Sequence, residues 1–218
     1  MIFRAKGGFV MREWVRVVWV FAALGMLGAG CVSVPSGDDQ RAAAEQKRTY
    51  LPEAEMPAAA AGQARFGEVK VRAFRGLPPF NAASFVVKRA NGETVLDFYN
   101  AWVGPPHELI RVQAARYLER AGLFGAVYDA GSGTSAPLGL EGTVCELFLD
   151  CRGEKPAAVV TLRLVVLDEQ SPTFTVLCSA EKTGRAACDA EGRDGIARAF
   201  NAALTQALAA LVQELGGR

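Results

Sequence analysis

Five cysteines and a single histidine are the side chains in this 218-residue sequence whose types and spacing could form a covalent bond or hold a metal. Cys31 has the clearest context. It follows Gly28, Ala29 and Gly30, which close an apolar run from Val17 to Leu27. Ahead of that run stand Arg4, Lys6, Arg12 and Arg16, opposed only by Glu13. A basic start, an apolar run and small residues are the layout of an export signal over residues 1–30. The run falls short of the roughly 20 residues that a bilayer-spanning helix needs. A thiol directly after the small residues can be diacylated before cleavage, so Cys31 is the predicted lipidation site. The pattern departs from the usual lipobox in having Gly28 three residues before the cysteine, with Leu27 one further back. An ordinary secretory signal or an uncleaved one is the alternative, and Met11 is an alternative start to Met1. Val32 and Ser33 follow Cys31, and the absence of Asp at the second position implies sorting to the outer membrane by the rule of enteric bacteria. At about 0.8 kcal/mol per buried methylene, two or three acyl chains would hold the protein there permanently.

Four further cysteines, Cys145, Cys151, Cys178 and Cys188, lie in the exported part, where an even count invites disulfides. Cys145 and Cys151 fall in one extended run, which would hold them about 20 Å apart, beyond disulfide reach. A bridge must therefore cross elements. If the strands form a meander, Cys151 and Cys188 lie at the same sheet end and are the favoured pair. The alternative leaves Cys145 and Cys178 as buried thiols. His107, in Pro105-Pro106-His107-Glu108, has no Cys or carboxylate cluster at metal-ligand spacing around it and reads as a surface histidine at a helix start. Gly131-Ser132-Gly133 lacks the Lys and following helix of a phosphate loop. No Gly-x-Ser-x-Gly elbow occurs. No positioned acid, base or nucleophile is visible, so the expectation is a protein that is not an enzyme and has no metal or cofactor beyond the covalent lipid on Cys31.

The elements that would position these residues follow from periodicity. Half the residues are hydrophobic and the formal net charge is +1. With four bases and one acid preceding Cys31, the remaining chain carries a net −2, which gives no footprint for nucleic acid. Residues 31–65, rich in Ala, Pro, Gln, Glu and Gly, read as a flexible tether, with Thr49-Tyr50-Leu51 as a short first strand. Residues 66–218 form the domain. Val69, Val71 and Ala73 alternate with polar residues, and Phe85 and Val87 lead a strand that turns at Asn91-Gly92 into a partner from Thr94 to Tyr99. Pro105-Pro106 opens a helix with Leu109, Ile110, Ala114, Tyr117, Leu118 and Ala121 on one face, capped at Gly122. Strands are expected over Leu123–Tyr128, Leu138–Leu149, Ala157–Asp168 and Pro172–Glu181. A last helix over 192–215 carries Ile196, Phe200, Leu204, Leu208, Leu211 and Leu215 in one stripe, which reads as ordinary core. The fold class is α+β: a mostly antiparallel sheet with two amphipathic helices packed on one face.

Several short words add a resemblance. They are Tyr50-Leu51, Val69-Lys70-Val71, Phe85-Val86-Val87-Lys88-Arg89, Asp97-Phe98-Tyr99-Asn100-Ala101-Trp102, Pro105-Pro106, Gly122-Leu123-Phe124, Leu140-Glu141-Gly142 and Phe148-Leu149-Asp150. In this order, between a lipobox and an Ala/Leu-rich final helix, the chain resembles the ABC-type transport auxiliary lipoproteins that accompany MCE-type and paraquat-inducible transport systems. The most specific part is the block Tyr99, Trp102 and Pro106. Its residues read as structural, with Tyr99 and Trp102 burying aromatic area where the hairpin meets the first helix and Pro106 setting the helix start. The resemblance implies a non-catalytic, outer-membrane-anchored periplasmic subunit. Its implied partners are an MCE-family periplasmic protein with an inner-membrane permease and ATPase, phospholipid as cargo, and further copies of itself. A regulatory lipoprotein that activates a peptidoglycan synthase is the runner-up, since a tether and a small α+β domain would serve that role as well. A hydrolase with an unrecognised site is a third reading, opposed by the lack of polar clusters.

Overall fold

The computed structural model describes residues 47–60, 62–188 and 193–217. The residues read as an export signal, Met11, Cys31 and the first part of the expected tether lie outside the described residues.

The longest apolar runs build the centre. β7 (Leu138–Cys151) and β8 (Ala157–Asp168) pair antiparallel along their whole lengths, and β9 (Thr175–Ala187) continues this meander on the far edge of β8. The other edge of β7 is too long for any one of its partners. Three short strands share it in succession: β2 (Phe66–Val71) against Leu138–Leu140, β3 (Arg75–Gly76) against Thr143–Val144, and β4 (Ser84–Arg89) against Phe148–Cys151. All three run parallel to β7. β4 turns back at Gly92, whose φ of +86° only glycine adopts without strain, into the antiparallel β5 (Thr94–Trp102). β1 (Arg48–Tyr50) pairs parallel with β5, and β6 (Phe124–Tyr128) parallel with β2. The nine strands described are therefore a mixed sheet, not a mostly antiparallel one. Its two longest ladders are antiparallel, and the correction falls on the shorter strands.

The two helices close the core. α1 (Pro106–Arg120) buries Ile110, Ala114, Tyr117 and Leu118, and α2 (Arg193–Gly217) buries Phe200, Leu204, Leu208, Leu211 and Leu215. Both contribute to one hydrophobic cluster with Val69, Phe85, Trp102, Leu140, Leu162 and Leu164 of the sheet. α2 is long and apolar enough to cross a membrane, but its apolar stripe is spent on this core against β8 and β9. α1 begins at Pro106, whose missing N–H costs nothing at the first helical position. It ends at Gly122, φ +65°, whose N–H bonds to the Glu119 carbonyl.

Part of the segment expected to be loose is docked. The compact unit begins at Gln46, and residues 52–60 run as an extended strap over both helices. The Glu53 and Glu55 N–H groups donate to Asn201 Oδ1 and Thr205 Oγ1 of α2, each at 2.9 Å, while the Ala54 N–H between them donates to Gln113 Oε1 of α1 at 3.2 Å. Arg120 Nε donates to the Pro57 carbonyl, and the Ala60 N–H to the Arg120 carbonyl. The Ala/Pro-rich composition that reads as a tether offers few large apolar anchors, Met56 against the core being one. What holds the strap is its own backbone hydrogen-bonding groups, together with Pro52 and Ala54, which are buried.

Candidate functional site

Trp102 lies in the core and Pro106 starts α1, whereas Tyr99 stands partly outside the core. Trp102 is 3% exposed, with its ring centroid 4.4 Å from that of Phe85 and 5.1 Å from that of Phe200 on α2. It thus ties the β4–β5 hairpin to α2 through Phe200. Pro106 is buried at the start of α1. Tyr99 is 39% exposed and packs edge-on against Phe98, which is 75% exposed. Strand alternation would place Tyr99 on the face opposite Trp102, and a bulge removes it from the core altogether.

That bulge has a defined cause. Ser84 pairs with Ala101 and Val86 with Leu96, so the four residues Asp97–Asn100 face the single residue Phe85. The excess is folded around the Asp97 carboxylate. Its Oδ1 accepts from the Tyr99 N–H at 2.8 Å and the Asn100 N–H at 3.2 Å, and its Oδ2 accepts from Asn100 Nδ2 at 2.6 Å. Asn100 Oδ1 in turn accepts from the Tyr50 hydroxyl of β1 at 3.3 Å. Asp97, which sequence reasoning does not single out, therefore fixes a loop that presents Phe98 and Tyr99, beside exposed Leu96, to the outside. An Asp three residues before an Asn within an otherwise apolar strand is the one sequence signal that could have marked it.

The cysteines are placed by register. Cys151 ends β7, and Cys188 follows β9 with its N–H on the Pro156 carbonyl at 2.8 Å. They do share a sheet end, as the meander requires, but β8 lies between them. Two strand spacings are roughly 9–10 Å, against the 4.4–6.8 Å that a disulfide spans, so this arrangement does not bring the favoured pair together. Burial pushes the Cys145 and Cys151 thiols up, with the carboxylates Glu181 and Asp150 respectively adding to the effect, which keeps both protonated and weakly nucleophilic at neutral pH.

The same sheet end carries a buried ion cluster. Asp150, 4% exposed, accepts from Arg152 Nε at 2.8 Å and from Arg185 of β9 at 2.9 Å, so it ties the β7–β8 turn across β8 to β9. The arginine hydrogen bonds, led by Arg152, outweigh burial and hold its carboxyl well below the usual carboxylate range. Beside it a cavity of about 530 Å³ opens between β9 and α2, lined by Arg185, Arg198, Ala199, Ala202 and Gln206. His107 stands half-buried in the first turn of α1. Among the described residues no three His, Cys, Asp or Glu side chains group as metal ligands would.

With this geometry in hand, the comparisons give a fold and no family. No protein-family model and no curated protein matches the chain. Solved structures do. Protein XCC0632 from Xanthomonas campestris, of family DUF330, superposes with a TM-score of 0.64 over 77% of this chain and 95% of its own, at 20% identity. An uncharacterised protein superposes with a TM-score of 0.60 over 78% of this chain and 99% of its own, at 14% identity. Lipoprotein GNA1162 from Neisseria meningitidis matches over 70% and 99%, at 13% identity and a TM-score of 0.38. The first two likenesses show a shared fold, and the third is too loose to carry an argument.

Proposed function

We propose that this chain is an outer-membrane lipoprotein, acylated on Cys31, whose domain serves as a non-catalytic subunit of an MCE-type ABC transport system that moves lipid or other apolar molecules between membranes. One observation carries the reading: the words that resemble the transport auxiliary lipoproteins fall on the joints of a single fold. Trp102 clamps the hairpin to α2, Pro106 starts α1, Gly122 ends it in the left-handed conformation, and Leu123-Phe124 enter the core as β6 begins. The exposed apolar side chains Leu96, Phe98, Val103 and Val176 suit a protein that docks rather than one that reacts.

The experiment is capture in cells. A photo-crosslinker at Val103, expressed in the native host, is expected to trap an MCE-family protein of the envelope. Recovery of a peptidoglycan synthase in its place would move the function to the regulatory class. For the anchor, Cys31→Ser is expected to leave a larger precursor that takes up no palmitate analogue, and equal labelling of variant and parent would overturn it.

A further inference from the structure

We propose that the β4–β5 hairpin is a membrane-contact element, in which the Asp97–Asn100 bulge seats Phe98 and Tyr99, with Leu96, in the headgroup–acyl boundary of the bilayer that holds the Cys31 anchor. The proposal rests on the acylated reading above. Its first support is the surface itself: Leu96 is 55%, Phe98 75% and Tyr99 39% exposed, on one short stretch of strand. Nothing in the core requires these side chains to be apolar. The loop is held by three hydrogen bonds to Asp97, so the rings are presented in a fixed arrangement.

The second support is where the tether arrives. β1 runs parallel to β5 with Arg48 opposite Asn100, so the chain traced backwards from Arg48 meets the level of Tyr99 at Lys47. It is heading toward the hairpin turn. From Lys47 to the position read as lipidated the chain counts sixteen residues, which span at most roughly 55 Å. An anchor at Cys31 is therefore confined within that reach of Lys47, and Lys47 stands level with the bulge. Lys47 and Arg48, both exposed at that point, add positive charge toward anionic headgroups, while the Asp97 carboxylate is taken up by internal bonds. Aromatic rings, and tyrosine with its polar tip above all, favour this depth. A second copy of the chain fits less well. A stable interface needs about 800 Å² per partner, more than three partly exposed side chains supply.

The test uses the acylated mature chain on vesicles of POPE and POPG, prepared with and without lipid brominated along its acyl chains. Trp14 and Trp19 leave with the signal, and the remaining Trp102 is buried, so Phe98→Trp adds a reporter that the parent allows to be subtracted. The added emission is expected to shift to shorter wavelength on vesicles and to be largely quenched by the brominated lipid. Added emission that stays solvent-like and is indifferent to bromine would overturn the proposal. So would a blue shift that appears without vesicles and grows with protein concentration, since that marks contact between copies. A second measurement does not depend on acylation: the chain from residue 31 onward, expressed without residues 1–30 and carrying Cys31→Ser, is floated with the same vesicles, and adding Phe98→Ser and Leu96→Ser is expected to weaken binding by about tenfold. Mass analysis of the mature N-terminus reports the lipid separately. An unacylated Cys31 with hairpin-dependent flotation would refute the anchor alone, and an acylated Cys31 with an indifferent hairpin would refute the contact alone.

Discussion

Replacing Gly184 by alanine tests the tightest approach in the fold. Gly184 is buried in β9 opposite Val160 of β8, and α2 lies directly over it. A Cβ built there would stand 1.8 Å from the Ala203 carbonyl oxygen, 2.8 Å from its carbon and 2.9 Å from the Ala207 nitrogen. All three are helix backbone atoms, so no side chain can rotate away. Reaching an ordinary contact of about 3.5 Å requires strand or helix to move by more than an ångström locally. The helix that would have to lift also buries Phe200, Leu204, Leu208, Leu211 and Leu215. Overpacking of a rigid core costs typically 1–3 kcal/mol, and a backbone obstacle belongs at the upper end. The lower chain entropy of alanine when unfolded returns about 0.4–1 kcal/mol, leaving a net loss of about 2 kcal/mol. In a domain of this size that lowers the melting temperature by roughly 4–8 °C. The measurement is thermal and urea unfolding of the purified mature protein, with Gly67→Ala as control, since a Cβ at Gly67 meets nothing within 4 Å. A Gly184→Ala protein that unfolds at the midpoint of the parent would refute the close approach of α2 to β9.

Trp102→Ala removes a ring packed between Phe85 and Phe200 and should cost about 3–5 kcal/mol; a variant that keeps its melting temperature but loses its binding partner would show instead that the ring is an exposed contact. Asp150→Asn should destabilise by about 1–3 kcal/mol at pH 7, discounted because Arg152 and Arg185 are themselves half exposed. A carboxyl whose folded pKa is depressed contributes stability above its unfolded pKa, near 4, and loses it as pH falls through the folded value, so the gap between parent and variant in urea unfolding should be full at pH 7 and narrow below about pH 4. A gap that widens in acid would contradict the ion cluster.

Local patterns were legible because each element's burial is written in its own residues. The Asn91-Gly92 turn, the Ala157–Asp168 strand and the stripe of α2 are all where periodicity puts them. Partner choice is another matter. β2, β3 and β4 are parallel to β7 because connections carry the chain back to the same sheet end, and no alternation of polar and apolar residues records that. The strap was hidden for a related reason, since it is held by backbone donors received by Gln113, Asn201 and Thr205, side chains that look like ordinary helix surface in the sequence. Tyr99 stands partly outside the core because Asp97 folds residues 97–100 into a bulge, which the aromatic pair Phe98-Tyr99 does not itself record. Gly184 gave no signal of its own, although the small residues Ala199, Ala203 and Ala207 at four-residue spacing mark the helix face that comes down over it.

The parallel ladder between β1 and β5 also decides how the domain bears a pull. A force applied at Lys47 along the axis of β1 loads the pairs Arg48–Asn100, Thr49–Ala101 and Tyr50–Trp102 together in shear instead of peeling them one at a time. Behind them the strap is stitched alternately to two different helices, and tension that defeats the ladder must next break bonds to Asn201, Gln113 and Thr205. The N-terminal end of the described chain thus meets tension with a short sheared strand backed by a row of stitches.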